Sequence, residues 1–132
     1  MRIKLLLMLS FSFLIFSCKK EEGEGGMATI KGNIWVRDWD KNFNLMMYEY
    51  PGLDEDVFIV YGNQNGYGDK LSTDLNGNFE FKYLRKGTYT IYALSDTLQS
   101  STVSYIQFPV AAKIQITDKK QVVDIGTIVV NR

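Results

Sequence analysis

Thr73-Asp74-Leu75-Asn76-Gly77-Asn78-Phe79-Glu80-Phe81 is the stretch whose pattern separates a sheet protein from a helical one. Phe79, Phe81 and Tyr83 alternate with Asn78, Glu80 and Lys82. A period of two puts the rings on one face of a strand and the polar groups on the other. A short strand over 70–73 precedes it, and Asn76-Gly77 lies between the two. Asn-Gly supplies the positive φ that a tight hairpin turn demands, so the spacing predicts a hairpin here. Downstream, Arg85-Lys86-Gly87 turns the chain again, and Tyr89, Ile91 and Ala93 alternate with Thr88, Thr90 and Tyr92.

The same reading extends to both sides. Ala28, Ile30, Gly32, Ile34 and Val36 share one face of a first strand. Val57, Ile59 and Tyr61 share a face of the next, with Phe58 and Val60 opposite; apolarity on both sides points to a central strand. Ile106, Phe108 and Val110 form an irregular edge, because Pro109 cannot donate to a ladder. Ile114 and Ile116 begin another strand, Asp118-Lys119-Lys120 turns it, and 122–130 closes the domain. No stretch keeps a helical apolar period for three turns. The expectation is an all-β, antiparallel Greek-key sandwich of about seven strands over residues 28–132.

The first residues have a different character. Arg2 and Lys4 precede an apolar run from Leu5 to Phe16, too short to span a bilayer and right for an export signal. Leu14-Ile15-Phe16-Ser17-Cys18 resembles the lipobox of bacterial lipoproteins, with Phe16 larger than the pattern prefers. That resemblance implies a signal peptide over 1–17, cleavage before Cys18 and lipid on its sulfur, hence a membrane anchor. Two or three acyl chains give stable anchoring. Residues 18–27, Lys- and Glu-bearing and glycine-rich, read as the lipidated cysteine and a flexible tether. The Lys/acidic cluster after Cys18 also resembles a surface-export signal of Bacteroidota lipoproteins, so the expected location is the cell envelope, at the outer membrane, facing outward or, if the cluster is only a solvated spacer, facing the periplasm.

Ile30-Lys31-Gly32-Asn33-Ile34, Asp56-Val57-Phe58-Ile59-Val60, the stretch 73–81, Leu84-Arg85-Lys86-Gly87-Thr88-Tyr89-Thr90-Ile91 and Asp124-Ile125-Gly126-Thr127-Ile128 follow in order. Together they resemble the carboxypeptidase regulatory-like domain, a prealbumin-like (transthyretin-like) sandwich. The resemblance implies a fold and a non-enzymatic module, not a chemistry.

Composition narrows the rest. The 132 residues hold no histidine and one cysteine, and their formal charge sums to zero. The commonest general base is missing, no intramolecular disulfide can form, and nothing suggests a nucleic-acid partner. No cofactor is expected. Asp74, Asn76, Asn78 and Glu80 alternate oxygen ligands like a fragment of a calcium loop, but an EF-hand's twelfth-position acid would fall at Arg85, so a polar turn is the simpler reading. Lys31 and Asn131 lie where related adhesin repeats form an isopeptide bond, though Lys31 should face solvent. The connection over 37–56 is long and aromatic-rich. Trp39, Phe43, Tyr48 and Tyr50, with Tyr67 of the next connection, are candidates for a binding surface for an envelope protein, a peptide or a glycan. The competing expectation for Leu45-Met46-Met47-Tyr48 is a strand, or a cover over an open core. The competing role is a structural, accessory subunit of an outer-membrane assembly.

Overall fold

The computed structural model describes residues 21–98 and 104–132. Two four-stranded sheets face each other, with no helix among the described residues. The first contains β1 (Glu24–Trp39), β2 (Met46–Pro51), β5 (Asn78–Leu84) and β8 (Val122–Asn131). The second runs β4 (Asp69–Ser72), β3 (Asp56–Tyr61), β6 (Gly87–Leu98), β7 (Tyr105–Ile116). The sandwich is therefore all-β as expected. The described residues form eight strands: β2 lies within the 37–56 connection, and β7 merges two expected strands.

β1 organises the first sheet. Its Ala28–Asn33 stretch pairs with β5, and Trp35–Trp39 pairs with β2. β8 overlaps both stretches in register, so β5 and β2 lie end to end along the other edge of β1. The β1–β8 pair is parallel; every other pair is antiparallel. β1 also starts earlier than the expected boundary at 28. Its residues 24–27 fall in the stretch expected as tether, and Gly23 just before them is buried and bonded to the domain.

The apolar alternation fills the gap between the sheets. Ala28, Ile30, Ile34 and Val36 of β1 meet Val57 and Ile59 of β3 and Tyr89, Ile91 and Ala93 of β6, all fully buried. β3 lies between β4 and β6, which explains its two apolar faces. β7 is an edge strand, so Pro109 needs no partner on its outer side.

Two expectations fail locally. The Asn76-Gly77 turn does not close a hairpin, since β4 pairs in the second sheet and β5 in the first. Gly77 has φ +79°, while Asn76 is not among the residues with positive φ, so the turn lacks the paired left-handed residues of a type I′ hairpin. It is a corner between sheets. Tyr83 also leaves the face of Phe79 and Phe81. Ala28 opposes Leu84 and Ile30 opposes Phe81, so β5 carries one extra residue there. That bulge turns Tyr83 outward at φ 60° and puts Leu84 into the core.

Candidate functional site

At the end of the sandwich where β1 finishes, Trp39 stacks near-parallel to Phe43 with ring centroids 6.1 Å apart. Phe43 in turn meets Tyr105 of β7 at 5.8 Å. The turn between β1 and β2 makes this possible. Asp40 Oδ1 accepts from the backbone N–H groups of Asn44 (2.7 Å) and Leu45 (3.2 Å), and Phe43 takes φ 54°. Trp39 Nε1 donates to Asn131 Oδ1 at 2.9 Å, and the Tyr105 hydroxyl donates to the Lys41 carbonyl at 2.9 Å. Both sheets thus contribute to one aromatic cluster.

β2 extends the cluster. Opposite residues in the β1–β2 pair share a face: Tyr50 lies across from Val36, Tyr48 from Asp38 and Glu49 from Arg37. Glu49 and Arg37 form an exposed ion pair at 3.7 Å. β1 is the only strand on which β2 packs substantially. Tyr48 stays 67% exposed, Leu45 62% and Met47 49%. The segment is therefore a strand, as one expectation held, but it covers no core. Nearby on β7, Tyr105, Ile106 and Phe108 are exposed as well.

Of the sequence candidates, Trp39 and Phe43 stack here, and Tyr48 and Tyr50 lie on the adjoining strand β2. Tyr67 lies elsewhere. It packs edge-on against Phe58 at 5.1 Å, and Phe58 stacks on Tyr92 at 4.8 Å, on the outer face of the second sheet. Tyr105, Ile106 and Phe108 are not among the sequence candidates; the alternation marks Ile106 and Phe108 only as part of an irregular edge.

A second feature lies on the outer face of the first sheet. A shallow cleft of about 550 Å³ is lined by Lys31, Asn33, Asp74, Asn78, Glu80 and Asp124, among others. Lys31 stands opposite Glu80 on β5 and Asp124 on β8; Asn33 stands opposite Asn78 and Thr127. Asn33 Nδ2 donates to the Asn76 carbonyl (2.8 Å) and to Asn78 Oδ1 (3.1 Å). Asp74 Oδ1 accepts from the backbone N–H groups of Asn76 and Asn78, each at 2.9 Å. Those two bonds, Asn78's first, hold the Asp74 carboxyl below its usual range.

The calcium candidates thus serve the corner. Asp74 is committed to backbone N–H groups, and Glu80 pairs with Lys82 at 3.6 Å. Among the described residues, no three acidic or other metal-binding side chains are grouped to hold a metal. Because Asp74 titrates low only in the folded state, its contribution is present above the unfolded carboxylate range and lost as pH falls through its folded value. Asp74→Asn is expected to flatten the acid limb of Tm against pH below about pH 4. Equal acid slopes for the two proteins would show that the corner does not depend on this charge.

Lys31 and Asn131 are not brought together. Lys31 is opposite Asp124, whereas Asn131 is opposite Arg37, about 20 Å further along β1. Cys18 and the segment 1–17 lie outside the described residues.

No family model matches the chain, and no curated protein matches it. The resemblance to the carboxypeptidase regulatory-like domain therefore rests on the sequence motifs alone. Among solved structures, a candidate carbohydrate-binding protein of Pseudomonas aeruginosa is distantly similar: 16% identity, TM-score 0.47, 83% of this chain and 91% of that one. A 9R-lipoxygenase of Cyanothece aligns over 80% of this chain but 16% of its own length, with 17% identity and a TM-score of 0.38.

Proposed function

We propose that this protein is a non-catalytic binding module of the bacterial cell envelope, anchored by lipid on Cys18, that engages a protein partner through β2 and the Trp39–Phe43–Tyr105 end. The observation that carries the reading is β2 itself. It is a terminal strand with an open edge, and it presents Met46, Met47, Tyr48 and Tyr50 to solvent. Exposed apolar strands at sheet edges favour pairing with another chain, and native proteins ordinarily blunt them with lysine, proline or a covering loop. Main-chain groups along such an edge supply affinity, and alternate side chains supply specificity. The missing histidine and the lipobox-like Leu14–Cys18 stretch support the non-catalytic and anchored parts of the reading.

The test places a photo-reactive amino acid at Tyr48, or at Lys120 on the 118–120 turn, in the full-length protein in cells. A discrete protein adduct is expected from position 48 and none from position 120. Adducts from neither site, or equally from both, would sink the binding reading. In the same cells, Cys18→Ala is expected to move the protein from the membrane to the soluble fraction. Retention in the membrane would overturn the anchor.

A further inference from the structure

We infer that the cleft on the outer face of the first sheet is a binding site for a short neutral oligosaccharide, independent of the β2 surface. Its walls are polar and of mixed charge. Lys31 supplies donors, Glu80, Asp124 and the Asn33 carbonyl oxygen supply acceptors, and Asn78 and Thr127 supply both. Three carboxylates against one ammonium disfavour an anionic ligand such as a phosphodiester. The acids are not grouped to hold a metal among the described residues. A polyhydroxylated neutral molecule, donor and acceptor at every hydroxyl, matches this lining.

The side chains are held ready and only partly spent. Asn33 and Asn78 are fixed through their amides, with Asn33's carbonyl oxygen left for a ligand. Lys31 lies between Glu80 and Asp124 in register and forms an ion pair with neither; Glu80 pairs with Lys82 instead. Groups fixed in advance lose little freedom when a ligand binds.

The floor also fits, and an indole stands just beyond the lining. β8 bulges at Gly126, because Lys31 opposes Asp124 while Asn33 opposes Thr127. Gly126 has φ +74° and only open space where a side chain would stand, so a ligand can approach the backbone. Trp35 is the next outward residue of β1 after Asn33, half-buried and flanked by Pro51 and Val129. An indole beside convergent polar groups offers an apolar surface to the C–H groups of a sugar ring. The cleft's volume of about 550 Å³ lies within the range of small-molecule sites.

The test titrates the full-length protein, in detergent micelles, with neutral trisaccharides of glucose, mannose, xylose and N-acetylglucosamine, read by amide and indole NMR shifts. At least one is expected to shift the signals of 31–33, 78–80 and 126–127 and the Trp35 indole. Trp35→Ala and Lys31→Met should each weaken that binding at least about tenfold. Lys31 is exposed, so its variant should keep the wild-type Tm. Tyr48→Ser should leave sugar binding unchanged, which separates this site from the β2 surface. The inference is overturned if no trisaccharide shifts any signal. It is equally overturned if the shifts map to Tyr48 and Tyr105, if Lys31→Met binds as wild type does, or if only sulfated or phosphorylated sugars bind.

Discussion

Gly77→Ala is expected to cost the domain about 3–4 kcal/mol, lowering Tm by some 15–25 °C for a domain of this size. Two penalties add at this residue. Its φ of +79° is left-handed, which costs a side-chain-bearing residue roughly 1–2 kcal/mol. A Cβ built there would stand 2.4 Å from the Ile34 carbonyl oxygen and 3.0 Å from Gly52 N. Those atoms cannot yield cheaply. Ile34 O accepts from Gly52 N at 2.9 Å, and Ile34 N donates to Gly77 O at 2.7 Å, so the contact is a knot of backbone where β2 and β5 meet on β1. Urea denaturation of wild type, Gly77→Ala and Gly126→Ala checks this. Gly126 also has positive φ, but nothing stands within 4 Å of its added Cβ. It should lose only the conformational part, about 1–2 kcal/mol. Equal losses at the two glycines would show that the close approach at Gly77 carries no weight.

Tyr89→Ala is expected to cost about 4–5 kcal/mol, with Tyr89→Phe accounting for about 1–3 of it. The ring is fully buried and meets Tyr61 edge-on at 5.9 Å. Its hydroxyl donates to the Arg85 carbonyl at 2.7 Å and accepts from the Gly23 N–H at 3.0 Å. A tyrosine bonding back to the backbone a few residues upstream is a recurring brace in sandwich domains. Here it also ties down the chain that enters β1, helped by the Arg85 N–H donating to the Gly23 carbonyl at 2.9 Å. Burial pushes the phenol's pKa up, so the bonds involve its neutral form. Removing only the hydroxyl leaves two backbone groups short of a partner. Amide exchange at Gly23 and Arg85 should therefore accelerate in Tyr89→Phe beyond the global loss of stability. Wild-type exchange rates there would refute the brace.

The sequence made the sheet faces legible because period-two alternation reports which side is buried. Ala28, Ile30, Ile34 and Val36, and Tyr89, Ile91 and Ala93, follow that rule. The turn at Asn76-Gly77 could be located but not typed. The same dipeptide serves a hairpin or a corner, and the choice depends on which sheet accepts β5, a long-range matter. Tyr83 misled for a related reason: a bulge changes the phase of a strand without changing its composition. Residues 22–27 looked disordered because they hold glycine and glutamate and little apolar surface, yet Tyr89 and Arg85 hold them through the backbone, which composition does not register. The candidate surface was half legible. Aromatic residues in 37–56 stood out, whereas the polar cleft is assembled from Lys31, Asn33, Asn78 and Asp124 on three strands and appears only once their register is known.

β1 begins beside the Tyr89 corner and ends at Trp39, a run of 16 residues that spans about 50 Å when extended. Under the proposed attachment, Cys18 and Glu22 are joined by at most about 14 Å of chain, roughly twice the depth of a headgroup layer. The domain then has little freedom to tumble. With that anchor its Tyr89 corner would stay near the bilayer, and the strand would act as a mast that carries the aromatic cluster to the far side. A partner arriving from solution meets that summit first, and lengthening the 18–22 stretch with glycine and serine would turn an upright molecule into a swinging one.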